Sequence, residues 1–551
     1  MEVIMKKFLL LLLVFSAALL WASEPIMRVG IFTDTHVTKK ITSCKLLKNS
    51  LQFFKKNNVD MIVNVGDISN VYDEAAYKNY RDTVKAVYGE SAPREVFVFA
   101  NHDRMKREKE SVWEVFKDVK KHLECKNDFY DVIKLKGYTF LVIPQFMDSV
   151  KYDAMLSQAV KENPGKPIFV LDHVPAFDTV YHSKTWGEGK RRRILNKYPQ
   201  AIQISGHVHG TLTNELNIWQ GEFTAVNAGS LNYWTGDLVG SEPKVFYSDM
   251  VLILEVYPEK LVFRRYFSTT GEEYGADTPW SIPMPFDPKT APYTIARRAA
   301  SSAAPVFASD VVKSKVGKRD VTVTFPAAKD AFFYKLELFR QVDGAWKRFA
   351  RKDMLSEFML PVAKRKAAVS MQFDIGYFDA GKEYQVKVTP VNFFGKVGEP
   401  VSGKISVAQR VADTVVYESR EPMKDCKFMS ELAGGKPFKL GKDGFYIHNK
   451  FNGRLEFPAN VWEGKRGTKF RFTIEMHTIQ PSNRCWTLCL RNPKPLQNAN
   501  LRIATEGGDA GVQRYVITFN KPKDFFNYYF LIREGGHGKI RFDYVKIEKI
   551  K

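Results

Sequence analysis

Residues 30–36 read GIFTDTH. A hydrophobic run ends there with an aspartate and a histidine two positions apart, and a packed strand gains nothing from a carboxylate and an imidazole at its tip unless partners satisfy them. The ending recurs. DMIVNVGD (60–67) closes on Asp67, EVFVFANHD (95–103) on Asn101, His102 and Asp103, PIFVLDH (167–173) on His173, and AIQISGHVHG (201–210) on His207 and His209. One core or surface histidine is ordinary, but five such segment ends within one stretch of chain are not. In a sheet with parallel order, side chains just past the carboxyl ends of adjacent strands converge on one crevice. Aspartates, neutral imidazoles and an asparagine carbonyl make a mixed oxygen and nitrogen set suited to manganese, iron or zinc rather than to a thiolate site. One ion cannot use so many ligands, so two metals are implied.

Working outward, short hydrophobic strands over 25–275 alternate with helix-forming stretches such as KLLKNSLQFFKK (45–56) and SVWEVFKDVKKHL (111–123). Alternation of this kind argues for sheets covered by helices. A proline-rich and then alanine- and serine-rich passage over 276–305 has no periodic pattern and reads as a linker. From 306 to 407 the pattern is alternating strands and turns, and the segment with Tyr384, Asn392 and Gly395 resembles the late strands of fibronectin type III domains, which are two-sheet sandwiches. Residues 412–551 are again strand and turn, with a length and strand number suited to a jelly-roll sandwich resembling a carbohydrate-binding module. There Tyr446, Trp462, Trp486 and Tyr529 either form a stacking platform for sugar or fill the core.

In order, the set D-x-H, G-D, N-H-D, H and G-H-x-H resembles the calcineurin-like metallophosphoesterases over residues 28–270. The resemblance implies a four-layer α/β sandwich, two β-sheets flanked by helices, followed here by two all-β sandwich domains. It implies that Asp34, His36 and His209 hold one metal, Asn101, His173 and His207 the other, and that Asp67 bridges them. The cofactors would be two divalent or trivalent transition-metal ions (Mn, Fe or Zn). His102 would stand beside the centre as a general acid, with Asp103 as its orienting partner. The expected reaction is hydrolysis of phosphate monoesters or small phosphodiesters by attack of a metal-bridging hydroxide. Two departures bear on this. Ala100 replaces the usual glycine before N-H-D, tolerable unless its φ is positive. Asn70 stands where the purple acid phosphatase branch would place a tyrosine, which argues against that branch.

The first 22 residues, with Lys6 and Lys7 before FLLLLLVFSAALLWAS, have the pattern of a secretory signal peptide, so the expected location is periplasmic, extracellular or cell-surface, with no transmembrane span in the mature chain. An uncleaved anchor is the other reading of that segment. The five cysteines include no CxxC pair and support no disulfide assignment. A net charge of +22 favours anionic partners, a phosphoester substrate first among them. Compact basic clusters occur at RMKREK (104–109) and KRRR (190–193); each is either a solvated face or, for the second, a source of an arginine reaching the substrate phosphate. Nucleic acid is not favoured, because no run of basic and aromatic residues is spaced like a nucleic-acid groove. The alternatives are a nuclease or pyrophosphohydrolase using the same centre, or a non-catalytic cell-surface or carbohydrate-binding protein with a relic hydrolase domain.

Overall fold

Strands buried on both faces read as nearly continuous apolar runs, and the segments that carry the charged endings have that character. β1 (Met27–Phe32), β2 (Met61–Asn64) and β3 (Arg94–Phe97) pair in parallel. β4 (Asp131–Leu135), β5 (Tyr138–Ile143), β6 (Ile168–Asp172), β7 (Ala201–Ser205), β8 (Ile218–Gln220) and β9 (Thr224–Asn227) form a second sheet in the order β4-β5-β6-β7-β9-β8. Its four central strands are parallel. A ribbon of β10 (Tyr233–Gly236) and β11 (Lys244–Tyr247) comes next. β12 (Met250–Val256), β13 (Lys260–Phe267), β14 (Glu272–Tyr274) and β15 (Trp280–Pro283) complete the first sheet in the order β14-β13-β12-β1-β2-β3, with β15 also on β13.

This computed structural model describes residues 24–236, 244–430, 440–448, 453–479, 487–491, 501–504, 508–521, 529–533 and 538–551. The expected signal peptide and Trp486 lie outside them, as does the side chain of Tyr529. Two units emerge: one running to Trp234 and resuming over Phe246–Ala300, the other made of Thr235–Val245 and Ser301–Lys551. No helix among the described residues is long and apolar enough to cross a membrane.

In the first unit, Val29, Ile31 and Val63 of one sheet share a core with Phe140, Phe169 and Ile204 of the other. Helix Lys45–Lys56 buries Leu47, Leu51 and Phe54 at helical spacing on the outer face of the first sheet, beside Glu74–Tyr88 and Val112–Leu123. Asp73 starts the second of these by accepting from the N–H groups of Ala75 and Ala76. Ser149–Glu162 and Gly189–Leu195 cover the second sheet. The result is the four-layer metallophosphoesterase sandwich expected from the sequence.

The passage expected as a linker behaves otherwise up to residue 300. Trp280 and Ile282 of β15 are buried in the inter-sheet core. The indole N–H of Trp280 donates to Glu215 at 3.2 Å, and Arg265 lies over its ring at 4.4 Å. Tyr293 exchanges bonds with Gln220, and helix Ile295–Ser301 brings Arg298 to Glu215 at 2.5 Å. The prolines conceal this in the sequence, since one edge strand of four residues has no periodicity to detect.

In the second unit, a three-stranded sheet (Lys313–Val316, Asp320–Pro326, Ala368–Asp374) and a four-stranded sheet (Ala345–Leu355, Phe333–Val342, Lys382–Val391, Val401–Val407) make the fibronectin-like sandwich. Tyr384 is buried and its hydroxyl accepts from the N–H of Asp379 at 2.7 Å, a tyrosine corner. Two five-stranded sheets follow beyond Thr414. Tyr446 and Trp462 sit in the core of that sandwich, so neither is available as a sugar platform. Between the two sandwiches Arg471, fully buried, reaches Asp374 at 2.5 Å, Asp413 at 2.6 Å and Glu548 at 3.3 Å.

Trp280→Ala should lower the stability of the first unit by about 3–5 kcal/mol, the cost of emptying a buried tryptophan site, measured by denaturant unfolding. A loss below about 1 kcal/mol would mean that 276–300 is a loose tether after all.

Candidate metal centre

Each strand end delivers its residues to one focus. Asp34 and His36 follow β1, Asp67 follows β2, Asn101 lies four residues past β3, His173 follows β6, and His207 and His209 follow β7. The ligand atoms of Asp34, His36, Asp67 and His209 all lie within 4.8 Å of one another, as do those of Asp67, His173 and His207, so Asp67 belongs to both groups. Five of these residues have left-handed backbone: Asp34 (φ 51°), His36 (φ 44°), Asp67 (φ 51°), His207 (φ 69°) and His209 (φ 45°). Non-glycine residues enter that region at a cost, and strain of this kind gathers where the surrounding structure fixes a functional geometry.

The hydrogen bonds select which atom of each group faces the focus. Asp34 Oδ2 accepts from the Thr33 hydroxyl at 2.8 Å and from the His207 N–H at 3.0 Å. Asp67 Oδ1 accepts from the His102 N–H at 3.0 Å. The ring Nδ1–H groups of His173 and His209 meet the carbonyls of Val65 (2.8 Å) and Tyr233 (3.1 Å), so in the neutral, metal-binding form Nε2 is the atom that offers a lone pair. Asp34 Oδ1, Asp67 Oδ2, Asn101 Oδ1 and His173 Nε2 are then buried without any hydrogen-bond partner. Buried polar atoms are rarely left so.

Cations fit this arrangement. A first-row ion with bonds of about 2.0–2.2 Å places neighbouring ligand atoms about 3 Å apart. Here His36 Nε2 and His209 Nε2 are 3.2 Å apart, His209 Nε2 and Asp34 Oδ1 3.1 Å, and His173 Nε2 and Asp67 Oδ2 3.2 Å. Charge points the same way. Burial opposes ionisation of Asp34, yet the His209 and His173 imidazoles hold its carboxyl well below the usual range. Burial also works against charge on His173, but Asp67 and Asp34 outweigh it and push that imidazole up to about 9. Burial, then His173, pushes His207 down to about 4.

The glycines of the motifs are steric requirements. Gly66 has φ 110°, and a Cβ there would lie 2.6 Å from His173 Nδ1 and 2.8 Å from the Ala100 methyl. A Cβ on Gly206 would lie 2.1 Å from Thr33 Oγ1 and 2.6 Å from Asp34 Oδ2. Ala100 itself has φ −131° and ψ −177°, ordinary extended backbone, so the methyl that departs from the family motif causes no strain.

His102 stands at the edge of the focus, partly exposed, with Nε2 4.0 Å from Asp67 Oδ2. Asp103 does not orient it. The Asp103 carboxylate accepts from the N–H groups of Ile68 (3.2 Å), Ser69 (3.3 Å) and Ala100 (3.3 Å), pinning the turn of Asp67 to the turn of Asn101. Burial and then Asp67 push its carboxyl up to about 8. The orienting group is the carbonyl of Asn70, 2.7 Å from His102 Nδ1. A main-chain oxygen leaves no side-chain signature, which is why sequence reading placed the role on the adjacent carboxylate.

Most of the arginines of the basic clusters are occupied internally, while Arg193 is exposed. Arg191 is fully buried against Asp172 at 2.7 Å, Arg192 pairs with Glu222 at 2.8 Å, and Lys190 with Glu188 at 3.2 Å. Arg107 pairs with Glu110 and with Asp118, while Arg104 donates to the carbonyls of Glu108 and Glu110. Three side chains at the centre were not singled out from the sequence. Tyr233 lies against the rings of His209 (4.3 Å) and His36 (5.4 Å). Trp186, 57% exposed, meets His207 edge-on at 6.4 Å. Gln145 bonds the main chain of Asn101 at 2.8 Å. Only Gln145 had a signal, since it too lies just past the carboxyl end of a strand, β5.

Residues 27–211 match the family model of the calcineurin-like phosphoesterases. Over this stretch the chain carries a calcineurin-like phosphoesterase domain. No curated protein matches the chain. Among solved structures it resembles the sulfate thiohydrolase SoxB of Thermus thermophilus in complex with glycerol, at 9% identity and a TM-score of 0.26, over 54% of this chain and 64% of that one. It also resembles the FN1–FN3 domains of chicken CNTN1, at 12% identity and a TM-score of 0.15, over 58% and 98%. The C-terminal CBM6 of LamC, a laminarinase of Zobellia galactanivorans, is similar at 12% identity and a TM-score of 0.15, over 24% and 93%. The chain thus spans under two thirds of the SoxB structure, and overlaps this slight say nothing of activity.

Elemental analysis after manganese loading should find close to two equivalents per chain. Gly66→Ala should cut that content, because the added Cβ displaces the His173 ring; full occupancy in that variant would show that His173 is not needed at the centre.

Proposed function

We propose that the protein is an exported binuclear-metal phosphoesterase that hydrolyses phosphate monoesters or small phosphodiesters. The observation that carries it is the convergence of Asp34, His36, Asp67, His173, His207 and His209 on one focus, with Asp34 Oδ1, Asp67 Oδ2 and His173 Nε2 buried and unpartnered. Asp34, His36 and His209 would hold one cation, Asn101, His173 and His207 the other, and Asp67, common to both groups, would bridge them. Bound there, the cations supply an acidified water and neutralise the phosphoryl oxygens as charge develops. Export rests on the N-terminal segment and its apolar run.

The chain's own part is to orient and to move a proton. His102 is held through Nδ1 by the Asn70 carbonyl, which leaves Nε2, 4.0 Å from Asp67 Oδ2, as the ring atom next to the centre. A proton there can be given to the leaving alkoxide, while a nitrophenolate needs little such help. Trp186 and Tyr233 flank the ligands with flat apolar surface, which suits an organic leaving group. The nuclease reading loses support, since four of the five arginines of the two compact basic clusters of this unit are engaged in ion pairs or main-chain bonds.

Activity with manganese against a panel of mono-, di- and pyrophosphate esters tests the reading. Turnover of at least one simple mono- or diester is expected, and inactivity of the two-metal protein on the whole panel would favour a binding role. His102→Ala should retain both metals and lose about 10²-fold in kcat on an alkyl ester, with a much smaller loss on a nitrophenyl ester. Equal losses on both would remove the general-acid role.

A further inference from the structure

The cluster KRRR stood out in the sequence, and its first arginine, Arg191, is buried deep inside the phosphoesterase domain. Arg191 and Asp172 are both fully inaccessible, and the guanidinium Nε lies 2.7 and 2.9 Å from the two carboxylate oxygens. A buried pair of this kind is costly to desolvate and adds little net stability, so its retention calls for another reason. Asp172 is the last residue of β6 and directly precedes His173. Glu188 accepts from a second guanidinium nitrogen. The third, Nη2, donates to the main-chain carbonyl of Gln145 at 3.0 Å.

Gln145 carries the connection onward. Its own N–H donates to the carbonyl of Phe99 at 3.0 Å, and its side-chain Oε1 accepts from the N–H of Asn101 at 2.8 Å. The backbone of Asn101 is thus fixed from outside its own turn, while its side-chain oxygen stays buried and unpartnered. The path Asp172–Arg191–Gln145–Asn101 joins the segment that carries His173 to the segment that carries Asn101. Neither Asp34, His36 nor His209 hydrogen-bonds to any member of it; Asp34 is held by Thr33 and the His207 N–H, His209 by the Tyr233 carbonyl, and the His36 N–H donates to the carbonyl of Asp67 at 3.1 Å.

We propose that Gln145 and Arg191 are positioning residues for one half of the metal centre, holding Asn101 and His173 in place and so setting the affinity for the cation those two share. This rests on the binuclear reading above. Groups that orient ligands from behind change metal affinity by about 10–100-fold when removed, and an arginine fork that serves a carboxylate and a carbonyl together has no equivalent in lysine.

The test is manganese binding to the full-length chain, followed by equilibrium dialysis over a range of free Mn(II) with elemental analysis, beside thermal melts of the metal-free proteins. The parent should bind two ions. Gln145→Ala should bind the first as the parent does and the second about 10–100-fold more weakly, with the metal-free melting temperature unchanged. Gln145→Glu keeps an acceptor for the Asn101 N–H and should bring the second affinity back towards the parent. Arg191→Lys, which still neutralises Asp172 but cannot also reach Gln145, should show the same one-sided loss and guards against misfolding of the first variant. Two ions bound with parental affinity by Gln145→Ala, or an equal fall at both sites together with the melting temperature, overturns the proposal. A parent that binds only one ion overturns the binuclear reading before any variant is made.

Discussion

Two carboxylates, Asp34 and Asp67, are placed inside the protein within reach of four imidazoles, and the rest of the domain is arranged around that fact. Both are almost wholly inaccessible, and each has one oxygen bonded to the chain and one bonded to nothing. Burying a carboxylate without compensation is among the most unfavourable acts available to a fold. In the protein alone, charged imidazoles supply part of the compensation, as the raised pKa of His173 shows. Cations would supply it fully, and their ligands must be deprotonated to bind them. The left-handed turns at five of the candidate ligands, and the glycines that allow His173 and Asp34 to come so near, follow from forcing these groups together.

A second consequence is that the supports of the site are mostly main-chain atoms. Val65, Tyr233 and Asn70 offer carbonyls that fix the tautomers of His173, His209 and His102. Carbonyls at strand ends are present whatever the side chain, so these supports tolerate substitution at their own positions. Asp103 works in reverse, gathering N–H groups from two turns onto one carboxylate. Of the side chains proposed as supports, Arg191 is fully buried and Gln145 half-buried, and each residue is tied at more than one point.

The large positive charge is deployed differently from what a basic composition suggests. Within the first unit Arg104, Arg107, Arg191 and Arg192 of the two compact clusters are engaged by carboxylates or carbonyls of the same unit. In the second unit Arg471 reaches three carboxylates from two sandwiches, and Arg514 pairs with Glu475 while donating to the carbonyl of Tyr377. Many of the cations therefore hold segments together, and the long-range attraction for anions is carried by the exposed remainder.

Read alone, the sequence determined the strands that bear the motifs, the two covering helices at 45–56 and 112–123, the sandwich character of the second half and the residues gathered at the focus. Those features are local: period, spacing and residue type suffice, and a rule about parallel strand ends does the rest. Only the tertiary structure decided that residues 276–300 belong to the first unit, that Asn70 rather than Asp103 orients His102, that Tyr446 and Trp462 are core, and that Arg191 faces inward. Each of these depends on which group meets which across tens of residues of chain. A carbonyl, a four-residue edge strand and a buried arginine look the same in sequence as their exposed counterparts, and only packing distinguishes them.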